Sequence, residues 1–227
     1  MSDPIKTNEF LRGARDWRIV SDGACAFFQT DSLAQAAAFV EALSKVPNLT
    51  EHQYGIDLRQ RGVTVRLVTL RDDFMGMTDL DLALAQQISE VARQHGLKSD
   101  PSRIQSLLIV PGAPNITDVM PFWQAVLGYT RRPDSPDEDL IDPYDRGNAF
   151  WFETMEEARP GGLGAIHIGM WVPIEEAQAR VDAALAAGGH LVRDDYAPAW
   201  WTLADKYGNE IDVGTIAYRD GEPPPEY

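Results

Sequence analysis

The sequence predicts an α+β chain of two domains: an N-terminal antiparallel sheet with helices on one face, then paired βαβββ modules forming a cupped sheet. Three observations predict it. The 227 residues suit two domains of about 100 residues each. Helical and strand periodicities alternate along the first half. The second half repeats its own order of elements.

In the first half, residues 17–20 and 24–29 read as short strands around a turn at Ser21, Asp22 and Gly23. Asp31 and Ser32 are N-cap residue types. A helix is predicted over residues 33–43, with Leu33, Ala36, Val40 and Leu43 on one apolar face. Residues 53–58 alternate loosely. Residues 63–69 alternate cleanly after a turn at Arg61–Gly62. Val63, Val65, Leu67 and Thr69 fall on one face, and Thr64, Arg66 and Val68 on the other. Asp57 and Arg59 read as solvent-facing. A helix opens at residues 78–81 with acids in its first turn, where the macrodipole favours them. Its stripe is Leu82, Leu84, Ala85, Ile88, Val91 and Ala92, and Gly96 closes it. The first domain is thus expected over residues 10–97, and the polar, proline-containing residues 98–102 are the expected linker.

The second domain is expected over residues 103–217. Residues 104–110 read as a strand, and residues 117–127 as a helix stopped by Gly128. Residues 131–145 are rich in proline and charge, hence loop with at most a short strand. Residues 148–152 are strand-like. The order then recurs: strand over 165–172, helix over 174–187 ended by Gly188 and Gly189, and strands over 190–193, 200–203 and 211–213. Residues 104–110 align without gaps to 166–172, which sets Gln105 against His167. Gly–Asn pairs, Gly147–Asn148 and Gly208–Asn209, stand near the last strand of each repeat. One βαβββ unit is too small to enclose a ligand, but two can form a cup around one. The glycine-rich residues 161–164 lack a lysine and a strand-to-helix setting, so they read as a connector between repeats, not as a phosphate loop. Residues 218–227, with three consecutive prolines, read as a loose tail.

Composition narrows the function classes. The formal charge is 20 − 35 = −15, which disfavours phosphate backbones and anionic membranes. No nucleic-acid or membrane partner is expected. Cys25 is the only cysteine and lies in an apolar run, so neither a disulfide nor a thiolate metal cluster is expected. Residues 1–10 are polar and hold no apolar core of a signal peptide, so a reduced, cytoplasmic protein is expected.

Two motifs in the second half carry a resemblance. One is Pro121, Phe122, Trp123, Gln124, Ala125, Val126, Leu127, Gly128, Tyr129; the other runs from Leu203 through Gly208–Asn209 to Asp212. Over residues 103–217 the sequence resembles the glyoxalase/bleomycin-resistance/extradiol-dioxygenase superfamily, also called vicinal oxygen chelate. Members with a catalytic metal use one position on the first and one on the last strand of each repeat. The resemblance carries these to Gln105, Trp151, His167 and Asp212. Gln, His and Asp can ligate a divalent ion, whereas Trp cannot. A metal site at Gln105, His167 and Asp212 and a metal-free pocket are both open. His167 alone also reads as a strand histidine paired with a backbone group. Trp151 and Trp171 belong to opposite repeats and could stack a flat ligand.

The first half resembles pterin-4a-carbinolamine dehydratase over residues 10–96. The resemblance rests on Trp17, Phe27–Phe28, the alanine-rich helix with Phe39, the segment Asn48 to His52, the strand at 63–69, and Gly76–Met77–Thr78 running on through Asp81 to Ala85. The family's reaction removes water from a 4a-hydroxytetrahydropterin. Histidines suit that proton traffic because their pKa lies near working pH. His52 matches the first family histidine and Asp81 the helix aspartate. Gln53 and Leu70 replace the second and third histidines, and neither can act as an acid or base. His52, Asp81 and Gln53 are the candidate catalytic residues, with pterin as substrate. Asp81 also suits a cap at the helix start.

The resemblances imply a dehydratase-type lyase with a degenerate histidine set, joined to a glyoxalase-like binding domain. The alternatives are a binding or resistance protein using the C-terminal pocket of Gln105, Trp151, His167, Trp171 and Asp212, and a metal-dependent enzyme of the glyoxalase superfamily. A flat aromatic or pterin-like ligand and a homodimer are expected.

Overall fold

The computed structural model describes residues 2–21, 23–155, 166–204 and 210–221. The chain forms two compact units, Met1–Ile104 together with the segment from Ile216 onward, and Gln105–Thr215.

The first unit holds α1 (Thr7–Gly13), β1 (Arg18–Val20), β2 (Gly23–Gln29), α2 (Leu33–Leu43), β3 (Tyr54–Arg59), β4 (Gly62–Leu67), β5 (Thr69–Arg71), β6 (Phe74–Gly76), α3 (Asp79–Gln94) and β7 (Lys98–Ser99). Strands β1–β2–β4–β3 form an antiparallel sheet, and β5 and β6 form a separate hairpin. The alternation read in the sequence sets the register. Ala24, Ala26 and Phe28 of β2 pair with Leu67, Val65 and Val63 of β4, and all six are at most 1% exposed. Helix α2 packs on β3 and β4, and α3 packs on α2. The Phe39 ring meets Phe28 edge-on at 5.3 Å. Each such large apolar side chain contributes about 1.5–3 kcal/mol on full burial.

Local signals explain the helix limits. Ser32 caps α2 by accepting the Gln35 N–H. The α2 stripe differs from expectation: Ala36, Phe39 and Leu43 are buried, Val40 is half-buried, and Leu33 stays 65% exposed. Leu33 is the first residue of the helix, one turn ahead of that line. Gly96 ends α3 with φ +69°; its N–H bonds Arg93 O, and the Leu97 N–H bonds Ala92 O. That is a Schellman end, and only glycine adopts its conformation without strain. Trp17 is fully buried, and its Nε1 donates to Ala85 O and Ser89 Oγ of α3, each at 3.1 Å.

Three expectations about this unit are corrected. The strand over 63–69 stops at Leu67, and Thr69 opens the β5–β6 hairpin. Residues 98–102 are no linker: β7 adds to the edge of β2, Asp100 N–H bonds Phe27 O, and Ser99 Oγ donates to Asp16. The backbone groups of this polar stretch find partners on an open sheet edge. The tail is not loose as far as Gly221. Asp220 accepts the Asn8 N–H, and Arg219 donates to Ser21 O. Residues 222–227 lie outside the described residues. An Arg59–Asp57 ion pair at 2.9 Å occupies exposed positions, as read.

The second unit holds β8 (Ser106–Ala113), α4 (Ile116–Leu127), β9 (Thr130–Arg131), β10 (Asp139–Ile141), β11 (Phe150–Trp151), β12 (Glu153–Thr154), β13 (Ile166–Trp171), α5 (Ile174–Ala186), β14 (His190–Arg193), β15 (Trp200–Ala204) and β16 (Glu210–Gly214). The sheet order is β14–β15–β16–β13–β8–β11–β10–β9, with β12 also on β8. The first strands of the two repeats, β8 and β13, run antiparallel at the centre, and each is flanked by the parallel last strand of its own repeat. This is the paired βαβββ arrangement. One core packs Ile109, Leu140, Phe150 and Phe152 against Met120 of α4. The other packs Met170, Trp201, Leu203 and Val213 against Ala177 and Val181 of α5. The predicted loop at 131–145 starts on the last residue of β9 and contains one short strand, β10, and Arg132 is held between Asp134 at 2.7 Å and Asp139 at 3.1 Å. Residues 161–164 and the Gly208–Asn209 pair lie outside the described residues.

Candidate functional site

The first unit gathers one cluster of interacting polar groups from three separate elements. Asn48 adopts φ +65°, which asparagine tolerates, and starts a single 3-10 turn, Leu49–Glu51. His52 follows it in extended conformation, its N–H bonded to Leu49 O. Across from it, Thr78 caps α3 and Asp81 completes a reciprocal capping box. Between them runs the start of β5, with Thr69.

Asp81 is 0% exposed and uses both carboxylate oxygens. Oδ1 meets His52 Nε2 at 2.7 Å. Oδ2 accepts from Thr69 Oγ1 at 2.7 Å, Thr78 Oγ1 at 2.6 Å and the Thr78 N–H at 2.7 Å. Burial pushes the carboxyl up, but the hydrogen bonds from His52, Thr78 and Thr69 outweigh it and hold Asp81 below the usual carboxylate range. An ionised carboxylate only accepts, so Nε2 of His52 carries a proton. The imidazole side chain is 8% exposed, and its Nδ1 has no partner among the described residues. The arrangement is a histidine oriented by a fixed anion, which can give and take a proton at Nδ1.

Gln53 stands beside this pair in another role. Its Oε1 accepts the Leu70 N–H at 3.0 Å, and its carbonyl accepts the Val68 N–H at 3.5 Å. It therefore ties the His52 turn to β5. Leu70 stands beside Thr69 and contributes its backbone. Sequence reasoning missed Thr69 and Thr78. The Thr–x–x–Asp spacing at 78–81 was a legible signal for Thr78; Thr69 had none beyond its place at the end of an alternating strand.

In the second unit, register assigns the candidate residues to faces. Asp212 pairs with Gly169 and Thr202, and Trp171 with Ser106 and Gly214. Trp151 pairs with Asp139. These positions alternate with the core residues Ile109, Phe150, Met170 and Val213, so they occupy the sheet face opposite the helices. The Trp171 indole lies against the Gly169 and Gly214 backbones, where an added Cβ would stand 3.6 Å and 3.5 Å from it. Trp151 is 38% exposed on the same face. Asp212 accepts from Thr202 Oγ1 at 2.6 Å. Asp139 is buried, and burial pushes its carboxyl up against the pull of Ser135 and Arg132.

Gln105 does not join them. It precedes β8 in the parity of Leu107 and Ile109, on the helix side, and its Oε1 accepts from Arg180 of α5 at 3.4 Å. The gapless alignment with His167 is thus out of phase with the pairing, since His167 pairs with Val110 and the Ser106 side of β8 faces Trp171. The His167 side chain and Tyr207 lie outside the described residues. The donor set expected for a glyoxalase-type metal does not fit. Gln105 is on the opposite face of the sheet, and Trp151 cannot ligate. Among the described residues no group of three His, Cys, Asp or Glu could hold an ion.

Family comparisons agree with this division. The model of the pterin 4 alpha carbinolamine dehydratase family matches residues 3–91, and the model of a glyoxalase-like domain matches residues 108–214. Both families are of small-molecule type. Among solved structures, a glyoxalase/bleomycin resistance protein/dioxygenase superfamily member from Vibrio splendidus 12B01 is similar at 18% identity. The match covers 49% of this chain and 99% of that one, with a TM-score of 0.32. No curated protein matches the chain. No helix among the described residues is long and apolar enough to cross a membrane.

Proposed function

We propose, from the premise that the chain carries a pterin-4a-carbinolamine dehydratase domain followed by a glyoxalase-like domain, that its first unit is a lyase that dehydrates a 4a-hydroxytetrahydropterin through His52. One observation carries this reading: the 2.7 Å contact between His52 Nε2 and a buried Asp81, which leaves Nδ1 for proton exchange.

A single imidazole suffices for the chemistry. The imidazolium, stabilised by Asp81, gives its Nδ1 proton to the 4a-hydroxyl. The C4a–O bond breaks, water leaves with that electron pair, and the N5 lone pair forms the C4a=N5 bond. N5 now bears an acidic proton, which the neutral imidazole takes at Nδ1. The products are quinonoid dihydropterin and water, and His52 regains its starting charge. The hydroxyl and N5 sit on adjacent atoms, so one group can serve both steps in turn. Gln53 and Leu70, which cannot transfer protons, are then no obstacle.

Quinonoid dihydropterin absorbance after adding the 4a-hydroxytetrahydropterin to the full chain tests this. A rate above buffer that scales with protein concentration is expected. A rate equal to buffer would remove the reading.

A second reading rests on the face that carries Trp151, Trp171 and Asp212. It makes the second unit a binding module for a flat heteroaromatic molecule, stacked on indole and fixed by Asp212. Titration calorimetry of the full chain with pterin should show a set of sites that Trp151→Ala weakens about tenfold or more and that His52→Ala leaves unchanged. Equal binding by wild type and Trp151→Ala would contradict it.

A further inference from the structure

We infer that Thr69 is a positioning residue that fixes the tautomer and orientation of His52 through Asp81. This inference rests on the proposed role of the first unit, but its test does not depend on turnover. Three of the four contacts on Asp81 could arise from a helix start or its neighbouring turn; the one from Thr69 comes from a strand that has no need of it.

The Thr78 N–H and Oγ1 belong to the capping box and move with α3. They hold Oδ2 toward the helix end but do not relate the carboxylate to the His52 turn. Thr69 Oγ1 does, donating to Oδ2 at 2.7 Å from β5. On either side of it, the Val68 N–H bonds the Gln53 carbonyl and the Leu70 N–H bonds Gln53 Oε1. Three successive residues, Val68 between β4 and β5 and then Thr69 and Leu70 of β5, therefore grip both partners: Val68 and Leu70 hold the segment that carries the imidazole, and Thr69 holds the carboxylate. Thr69 is 8% exposed, so solvent cannot readily replace its hydroxyl. With Oδ2 occupied by three donors, Oδ1 is presented to Nε2 alone, and Nδ1 is kept unprotonated in the neutral ring.

A hydroxyl, not its methyl, does this, so the variants separate packing from hydrogen bonding. Thr69→Val keeps the shape and removes the donor, and Thr69→Ser keeps the donor. The imidazole of His52 is read by ¹⁵N NMR in the full chain, with His52→Gln assigning its signals. Wild type and Thr69→Ser should each show a protonated Nε2 and an unprotonated Nδ1 in the neutral ring. Thr69→Val should average toward a mixture of tautomers while the other histidine signals stay in place. Its dehydration kcat should fall about tenfold, with recovery in Thr69→Ser. An unchanged His52 tautomer in folded Thr69→Val would overturn the inference. A tautomer change in a protein whose wild type shows no dehydration would uphold it and reject the proposed reaction instead.

Discussion

Replacing His52 with alanine is expected to lower kcat for 4a-hydroxytetrahydropterin dehydration by about 10²- to 10⁴-fold, the usual range for removing a positioned general acid or base. The upper part of that range applies if the imidazole acts twice per turnover. Gln53 and Leu70 leave no second imidazole nearby to take over, since their contacts are an amide oxygen and a backbone N–H joined to each other. His52→Gln should be no better, because an amide can donate to Asp81 but cannot cycle a proton. Substrate KM should change much less than kcat in both. A loss confined to KM would make His52 a binding residue and contradict the proton-transfer role.

Asp81→Ala is expected to destabilise the first unit by roughly 4 kcal/mol, the range for removing one partner from a buried charged network. It strands the Thr69 and Thr78 hydroxyls, the Thr78 N–H and His52 Nε2, all of which converge on this side chain. It also removes half of the capping box of α3, the helix against which Trp17 is anchored. Asp81→Asn should cost less but still measurably, because its NH₂ must face donors. The pH dependence has a definite sign. The folded state holds this carboxyl below its ordinary value of 3.8, so its contribution is fully present above that pH and is lost as pH falls below it. Urea unfolding of the wild type should therefore weaken below about pH 3.8, and Asp81→Asn should flatten that limb. A variant as stable as wild type, with the same acid limb, would show that the carboxylate network contributes nothing net.

Much of this architecture was legible because single residues act over short range. The alternation at 63–69 fixed which side of β4 is buried, the serine at 32 marked the start of α2, and Gly96 marked the end of α3. The repeat in the second half gave the order of elements along the chain because its two copies are each long enough to show their pattern. Residues Lys98–Ser99 were misread because a two-residue edge strand has no periodicity, and its pairing depends on an open edge of β2. Gln105 was misplaced for a different reason. A strand alternates with period two, so a slip of one residue between β8 and β13 exchanges the two faces, and only the pairing itself sets that register. Within the site, His52 and Asp81 were visible as residue types at familiar positions. The contact of Asp81 with Thr69 was not, since it joins residues separated by a hairpin and a cap that carry no shared pattern.

Chemical rescue tests the central claim most directly. Dehydration is followed for wild type, for His52→Ala, and for His52→Ala with increasing free imidazole. The wild type should be fast, the variant close to buffer, and added imidazole should restore rate with saturation, beyond what the same imidazole does in buffer alone. Wild type and His52→Ala turning over at one rate, with imidazole acting equally on both, would contradict it and leave the Asp81–His52 pair a structural contact.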